Sequence, residues 1–135
     1  MIYVTRKVHF CAAHRLYDAT ISPEANRKRF GDCTNLHGHN YALEVTFAGE
    51  PEARTGMVIH LSELDAIVKE RVVKTLDHKY LNEDVPVFRD VAPTIEMLAK
   101  FVWERLDGAV PDARLHRVRL HEDDAFAADY YGETR

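Results

Sequence analysis

A His-Gly-His triplet, residues 37–39, leads directly into an alternating apolar segment over residues 41–47. Alternation with period two is typical of a β-strand with one buried face, because successive side chains of a strand point to opposite sides. If the strand extends back through the triplet, His37 and His39 lie on the same face. Gly38 carries no side chain and allows a close backbone approach. The triplet therefore predicts two ligands for one metal ion at the start of a strand.

His14 and Cys33 extend this prediction. His14 follows a second alternating segment, residues 2–10, and is preceded by two alanines that leave space around its ring. Three neutral imidazoles and an open position are typical of catalytic zinc, which polarises oxygen atoms or lowers the pKa of bound water. Each histidine alone is as readily explained as a loop or core residue. Together, His14, His37 and His39 predict a Zn²⁺ site.

Cys33, four residues before His37, has two interpretations. As a fourth ligand it would close the zinc site and make the site structural. As a free thiolate beside the metal and imidazole it would act as a base or nucleophile. Asp77 and His78 are a candidate pair to orient such a thiol, because a carboxylate fixes the tautomer of an imidazole and raises its basicity. A neighbouring Asp-His pair is by itself a weak signal.

The bulk composition indicates one ordinary globular domain over residues 1–135, with 30% charged and 46% hydrophobic residues. The formal charge of −4 argues against a general nucleic-acid or membrane-surface binder. We expect a cytoplasmic protein, because the chain shows no signal-peptide pattern and no apolar run of membrane-spanning length. In a reducing compartment the two cysteines are expected to be free thiols or ligands.

The order of the periodic segments predicts an α+β fold. Residues 2–10, 41–47, 115–122 and 126–130 have strand patterns, and residues 62–76 and 94–106 have helix patterns. Ser62 opens a capping-box pattern and Thr94 is a candidate N-cap for the second helix. We expect a four-stranded antiparallel sheet with both helices on one face, in the order ββααββ. Its open edge strands favour pairing between subunits.

The chain resembles the 6-pyruvoyltetrahydropterin synthase / 6-carboxytetrahydropterin synthase family. The resemblance covers nearly the whole chain and rests on motifs that occur in the same order, namely Phe10-Cys11-Ala12-Ala13-His14-Arg15-Leu16, Cys33-x3-His37-Gly38-His39-Asn40-Tyr41, Gly56-Met57-Val58, Leu76-Asp77-His78-Lys79-Tyr80-Leu81-Asn82, Pro93-Thr94-x-Glu96 and Glu122. One departure is Cys11, where the family usually has serine. Others are His60-Leu61 in place of Asp-Phe and Asp32 in place of a lysine.

The resemblance implies the tunnelling fold, in which three subunits close a twelve-stranded barrel and two trimers stack as a homohexamer. It implies a zinc-dependent lyase acting on 7,8-dihydroneopterin triphosphate. His14, His37 and His39 match the zinc ligands, and Cys33, Asp77 and His78 match the catalytic triad. Glu122 matches the carboxylate that binds the amino-pyrimidine edge of the pterin, and Thr94 matches a neighbouring pterin contact.

The motifs are compatible with two different products formed by members of this family. The Cys-x3-His spacing resembles the 6-carboxytetrahydropterin synthases of the queuosine pathway, which release acetaldehyde and triphosphate. Residues 22–26 and 84–88 instead resemble the pyruvoyl-forming enzymes of the tetrahydrobiopterin pathway. We give the spacing more weight, because it sets the reach of the thiol, and therefore expect the 6-carboxy product.

Two other classes compete with this interpretation. A cupin is suggested by Gly31, His37, His39 and Glu44, although no second histidine motif follows and Glu44 would face away from the histidines in a regular strand. A non-catalytic zinc-binding module is the other, with Cys33 and the three histidines closing a structural site.

Overall fold

Two long strands form the centre of the fold in the computed structural model, which describes residues 1–133. Strand β1 (Ile2–His14) pairs with strand β2 (His37–Gly49) antiparallel over its whole length, from Ile2 opposite Gly49 to His14 opposite His37. Both strands are longer than the alternating segments predict. The extension brings His14, His37 and His39 into the paired region.

The sheet has five strands rather than the predicted four, in the order β3-β1-β2-β4-β5. Strand β4 (Arg114–His121) pairs antiparallel with β2, and β5 (Ala127–Tyr130) pairs antiparallel with β4. The additional strand β3 (Lys79–Tyr80) pairs parallel with β1, so the sheet is mixed. Two residues are too few to produce a periodic sequence pattern, which explains why β3 was not predicted. The barrel-closing trimer stays a prediction.

Four α-helices, with two 3₁₀ turns and one π-helical turn among them, precede the last long helix in residues 1–133. Helix α1 (Pro23–Phe30) begins after Ser22, whose hydroxyl accepts a hydrogen bond from the N–H of Ala25, and a 3₁₀ turn (Gly31–Thr34) follows it. The first predicted helix is α2 (Leu61–Val68), which continues through a π-helical turn (Lys69–Val73) into α3 (Lys74–Leu76). A short helix α4 (Leu81–Asp84) and a 3₁₀ turn (Pro86–Arg89) complete the segment.

The two predicted helix starts have different outcomes. Thr94 caps helix α5 (Ile95–Leu106) as expected, since its hydroxyl accepts the N–H of Met97 at 3.2 Å. The predicted capping role of Ser62 is wrong. The cap of α2 is His60, whose Nδ1 accepts the N–H of Ser62 at 3.2 Å. An imidazole nitrogen satisfies a free helix N–H in the same way as a serine oxygen.

The hydrophobic core lies on one face of the sheet. Alternate residues of β1 and β2 are buried there, among them Phe10, Tyr41 and Leu43, and they join the apolar residues of α2, α3 and α5 in one cluster. The opposite face carries polar side chains, including Thr5 bonded to Thr46 at 2.7 Å. Among residues 1–133, no helix is long and apolar enough to cross a membrane.

Candidate metal centre and the adjacent acid-base pair

Three histidines meet at one end of the β1–β2 pair. His14 and His37 are directly opposite each other in the register, and His39 is two residues further along β2 on the same face. One ring nitrogen from each lies within 4.8 Å of the others. The ring centroids are 4.6, 5.1 and 5.0 Å apart, which describes a nearly equilateral triangle. The predicted cluster of His14, His37 and His39 is therefore assembled in the structure.

Hydrogen bonds orient two of the rings. Nδ1 of His14 lies 2.9 Å from the carbonyl oxygen of Pro93, and Nδ1 of His37 lies 2.7 Å from that of Asn35. A carbonyl only accepts hydrogen bonds, so each Nδ1 carries the proton. In a neutral ring the other nitrogen, Nε2, then presents a lone pair. Such carbonyl partners are the usual way in which proteins orient metal-binding histidines.

The two lone pairs face each other, with Nε2 of His14 and Nε2 of His37 only 3.1 Å apart. Two nitrogens at about 2.0–2.1 Å from a tetrahedral Zn²⁺ lie about 3.3–3.4 Å from each other. The pKa of His14 is lowered to about 4, mainly by burial, with a smaller contribution from the neighbouring His37 and His39 and an opposing effect of the hydrogen bond to Pro93. A buried neutral imidazole is the form that binds a metal. These residues fit a zinc ion.

Glu122 lies next to the histidine cluster. Its Oε1 is 3.4 Å from Nε2 of His39 and 3.8 Å from Nε2 of His14, and its side chain is 24% exposed. The β4–β5 hairpin holds it there, since the N–H of Glu122 donates to the carbonyl of Phe126. Glu122 is therefore close enough to interact with a molecule bound over the histidines.

Thr94 is placed near the same cluster by its chain neighbour. Pro93, the residue before it, accepts the hydrogen bond from His14. The Thr94 oxygen already accepts the N–H of Met97 as the cap of α5. Its hydroxyl proton is left for a further partner, because a hydroxyl can donate and accept at once.

Asp77 and His78 form a pair at the edge of the sheet. Nδ1 of His78 lies 3.0 Å from Oδ2 of Asp77, and the N–H of Cys11 donates to Oδ1 at 3.0 Å. The Cys11 backbone N–H is the main cause that holds the pKa of Asp77 below its usual range. The carboxylate therefore keeps the Nδ1 proton on His78, and Nε2 is left as the basic nitrogen on a side chain that is 78% exposed.

Cys33 lies apart from both groups. It occupies the 3₁₀ turn after α1, it is exposed, and its carbonyl accepts the N–H of Leu16 at 2.8 Å. Within residues 1–133 of a single chain, Cys33 belongs neither to the histidine cluster nor to the group around Asp77. The closed site with four protein ligands does not form here, and the triad of Cys33, Asp77 and His78 stays a prediction.

The cupin interpretation is wrong. Glu44, which it requires as a ligand, lies on the opposite face of β2 from His37 and His39. There it accepts a hydrogen bond from Nε2 of His121 at 2.8 Å. A strand residue five positions after one histidine and seven after the other must face away from both.

Two asparagines that position these elements were not identified from the sequence. Asn26 is fully buried and bridges Asp18 with the start of α1, and Asn82 exchanges two hydrogen bonds of 2.9 Å with the backbone of Arg15. Asn82 thereby holds the segment after His14 in place. Asn82 and Arg15 are 67 residues apart in the chain, so no local pattern predicts their contact.

Comparison with known proteins identifies clear relatives. A sequence model of the family described as 6-pyruvoyl tetrahydropterin synthase matches residues 3–133. The 6-pyruvoyl tetrahydrobiopterin synthase of Homo sapiens is 42% identical over 132 residues, covering 96% of this chain and 91% of that protein. The 6-carboxy-5,6,7,8-tetrahydropterin synthase of Synechocystis sp. is 35% identical over 106 residues, covering 75% of this chain and 78% of that protein.

The fold is similar to that of a solved relative. The structure of Caenorhabditis elegans 6-pyruvoyl tetrahydropterin synthase superimposes with a TM-score of 0.91 at 32% sequence identity. The match covers 98% of this chain and 96% of that one.

Proposed function

The chain belongs to the 6-pyruvoyl tetrahydropterin synthase family, and on that premise we propose that it is a zinc-dependent lyase forming 6-pyruvoyltetrahydropterin. The substrate is 7,8-dihydroneopterin triphosphate, and triphosphate is released. The two hydrogens lost when the first side-chain carbon becomes a ketone are gained by the ring, and elimination of triphosphate from the third carbon turns the second carbon into a methyl ketone, so no external oxidant or reductant is needed.

The observation that carries the choice of product is the extent of the similarity to pyruvoyl-forming relatives. The human relative aligns over 96% of this chain, whereas the 6-carboxy relative aligns over 75% at lower identity. This favours the pyruvoyl product over the 6-carboxy product expected from the Cys33–His37 spacing. Cys33 lies in an exposed turn before β2. The number of residues between Cys33 and His37 therefore sets the length of a surface loop and says little about the distance from the thiol to the metal or the substrate.

In this proposal His14, His37 and His39 hold the zinc ion. When bound, the ion supplies a Lewis acid that polarises the oxygen atoms of the substrate side chain. The protein contributes a fixed triangle of imidazoles, two of them oriented by backbone carbonyls. Three protein ligands would hold the ion in the way that is typical of catalytic rather than structural zinc sites.

Glu122 positions the ring of the substrate. A carboxylate accepts two parallel hydrogen bonds from an amino-pyrimidine edge, which fixes both the orientation and the identity of the ring. With its Oε1 only 3.4 Å from Nε2 of His39, a ring bound to Glu122 has its side chain close to the histidines. Thr94, whose hydroxyl proton is free to donate, is the second ring contact in this proposal.

The Asp77–His78 pair moves protons. Asp77 holds the Nδ1 proton of His78, so that Nε2 can accept a proton from the substrate side chain and return it later. The thiol of Cys33 is the second proton carrier. Since Cys33 lies outside this group within one chain, we place it at the pair of a neighbouring subunit in the homohexamer expected for the family.

Product identification tests the proposal. The purified, zinc-loaded protein is incubated with 7,8-dihydroneopterin triphosphate, and the pterins are separated and weighed by mass spectrometry. We expect 6-pyruvoyltetrahydropterin and triphosphate in equal amounts. 6-Carboxytetrahydropterin together with acetaldehyde would overturn the choice of product, and an unchanged substrate would overturn the enzyme assignment.

A further inference from the structure

A second group of metal-binding side chains lies on the opposite face of β1 from the three histidines. It consists of the thiol of Cys11, the carboxylate of Asp77 and the imidazole of His78, and one donor atom of each is within 4.8 Å of the other two. Cys11 alternates with Ala12, which faces the core, so its side chain points away from His14. The group combines sulfur, oxygen and nitrogen donors, unlike the all-nitrogen cluster.

The backbone holds this group in place before any ligand binds. The N–H of Cys11 donates to Oδ1 of Asp77 at 3.0 Å, and the N–H of His78 donates to the carbonyl of Cys11 at 2.7 Å. The next residues along both segments, Ala12 in β1 and Lys79 in β3, are paired in the sheet. His78 has a φ of +60°, a conformation that few residues other than glycine adopt, and these bonds hold it there. Cys11 lies in β1, and Asp77 and His78 lie in the turn before β3, so these backbone hydrogen bonds fix the turn against the strand.

We propose that Cys11, Asp77 and His78 form a second site for a thiophilic divalent cation such as Zn²⁺ or Cd²⁺. A thiolate, a carboxylate and a neutral imidazole are all ordinary zinc ligands, and the two negative charges balance the charge of the ion. Oδ1 of Asp77 is engaged by the N–H of Cys11 and serves as an outer contact, so Oδ2, which lies 3.0 Å from Nδ1 of His78, is the oxygen that would bind the ion once it replaces the proton between them. Binding releases the thiol proton to solvent, and the proton on Nδ1 of His78 moves to Nε2.

The site is accessible from solvent. Cys11 and His78 line an open pocket of about 560 Å³ together with Lys79, Tyr80 and the backbone around Gly38. The His78 side chain is 78% exposed and that of Asp77 is 34% exposed. A metal ion can therefore enter from this pocket, and water supplies the remaining coordination positions.

An ion bound here would engage the same His78 nitrogen that Asp77 otherwise holds. If Asp77 and His78 carry protons as proposed above, zinc in excess of one equivalent per chain should inhibit turnover. That consequence rests on the proposed function, whereas binding of the ion does not. The experiment therefore measures binding, so that an inactive protein would not be mistaken for an empty second site.

Cadmium titration of the zinc-loaded full chain tests the proposal. A cadmium–thiolate bond produces an ultraviolet charge-transfer band that three imidazoles cannot produce. The chain has only two cysteines, so the serine variants Cys11→Ser and Cys33→Ser identify the source of the band. We expect the band to reach one thiolate per chain in the wild type, to disappear in Cys11→Ser and to persist in Cys33→Ser.

Two further variants test the imidazole. His78→Gln should weaken cadmium binding about ten-fold or more, since losing a contact even to an outer partner costs about 10- to 100-fold in metal affinity. His9→Gln is the matched control, because His9 is exposed on the same strand two residues before Cys11 but lies outside the group. A band that survives in Cys11→Ser, or equal cadmium affinity in the His78 variant and the wild type, would overturn the proposal.

Discussion

Nε2 of His14 and Nε2 of His37 lie 3.1 Å apart, while Nδ1 of each ring faces a backbone carbonyl. Two unprotonated nitrogens at this distance repel each other unless a cation lies between them. The carbonyls of Pro93 and Asn35 therefore do more than anchor the rings, because they determine which nitrogen of each ring is left for the metal. The cluster is therefore arranged to hold a cation.

Replacing His37 with glutamine should lower the zinc affinity by about 100-fold or more, since a direct ligand matters at least as much as an outer one. His37 is only partly buried, so the fold should persist. Zinc per chain after dialysis against a weak chelator measures the effect, with His9→Gln as the control. Wild-type zinc content in His37→Gln would mean that the metal binds elsewhere.

Cys33→Ala separates a catalytic thiol from a structural one. Because Cys33 is exposed and lies outside the histidine cluster, we expect zinc content to stay at the wild-type level and stability to change by less than about 0.5 kcal/mol. Turnover should fall by about 10²-fold or more if the thiol transfers protons. Joint loss of zinc and of the folded state would instead favour the non-catalytic zinc module.

Glu122→Gln tests the anchoring of the substrate ring. Hydrogen bonds to a charged group contribute about 1.5–3 kcal/mol, which corresponds to an increase in KM of about 10- to 100-fold. Steady-state kinetics measures it. Asp124→Asn, an exposed carboxylate in the same hairpin, is the matched control and should leave KM unchanged. Equal values of KM in the two variants would show that Glu122 does not bind the substrate ring.

Asn26→Ala should destabilise the segment that carries α1. Its side-chain amide accepts the N–H of Asp18 at 2.7 Å and donates to the carbonyls of Asp18 and Ser22 at 2.8 and 3.1 Å. A buried polar group left without a partner costs about 1–3 kcal/mol, and alanine leaves several. Urea unfolding measures the loss. Asn26→Asp, which can still accept from Asp18, should lose less, and equal losses would contradict this account.

Acid should weaken the pairing of β4 with β5. Arg119 donates to both carboxylate oxygens of Asp129, at 2.7 and 2.8 Å, and is the main cause that holds the pKa of Asp129 below its usual range. A carboxyl group whose pKa is lower in the folded state stabilises the fold above its unfolded pKa of about 3.9. The stabilisation is lost as the pH falls through the lowered pKa.

The matched variant is Asp129→Asn, which cannot ionise. The loss of stability between pH 6 and pH 3, measured by urea unfolding, should be smaller in Asp129→Asn than in the wild type. Lys7→Gln changes an exposed residue outside this ion pair, so this variant should lose as much stability between pH 6 and pH 3 as the wild type. An equal loss in Asp129→Asn would show that other carboxylates account for the acid sensitivity.

Much of the fold could be predicted from local periodicity. The four alternating segments became β1, β2, β4 and β5, and the two helical patterns became α2–α3 and α5. Strand β3 and the π-helical turn could not be predicted, because one is too short to show a period and the other changes the helical period locally. The His60 cap could not be foreseen because histidine is not among the favoured capping residues.

The sequence by itself determined that His37 and His39 share a face, because strand side chains alternate with a period of two. Only the structure sets His14 opposite His37, since β1 and β2 pair beyond the alternating segments. Only the tertiary structure could place Glu122 over that cluster and bring Cys11 against Asp77, 66 residues away, since such contacts depend on how strands and turns pack. It also separated Cys33 from Asp77 and His78 within one chain, because the thiol lies in a surface turn and the pair lies at the edge of the sheet.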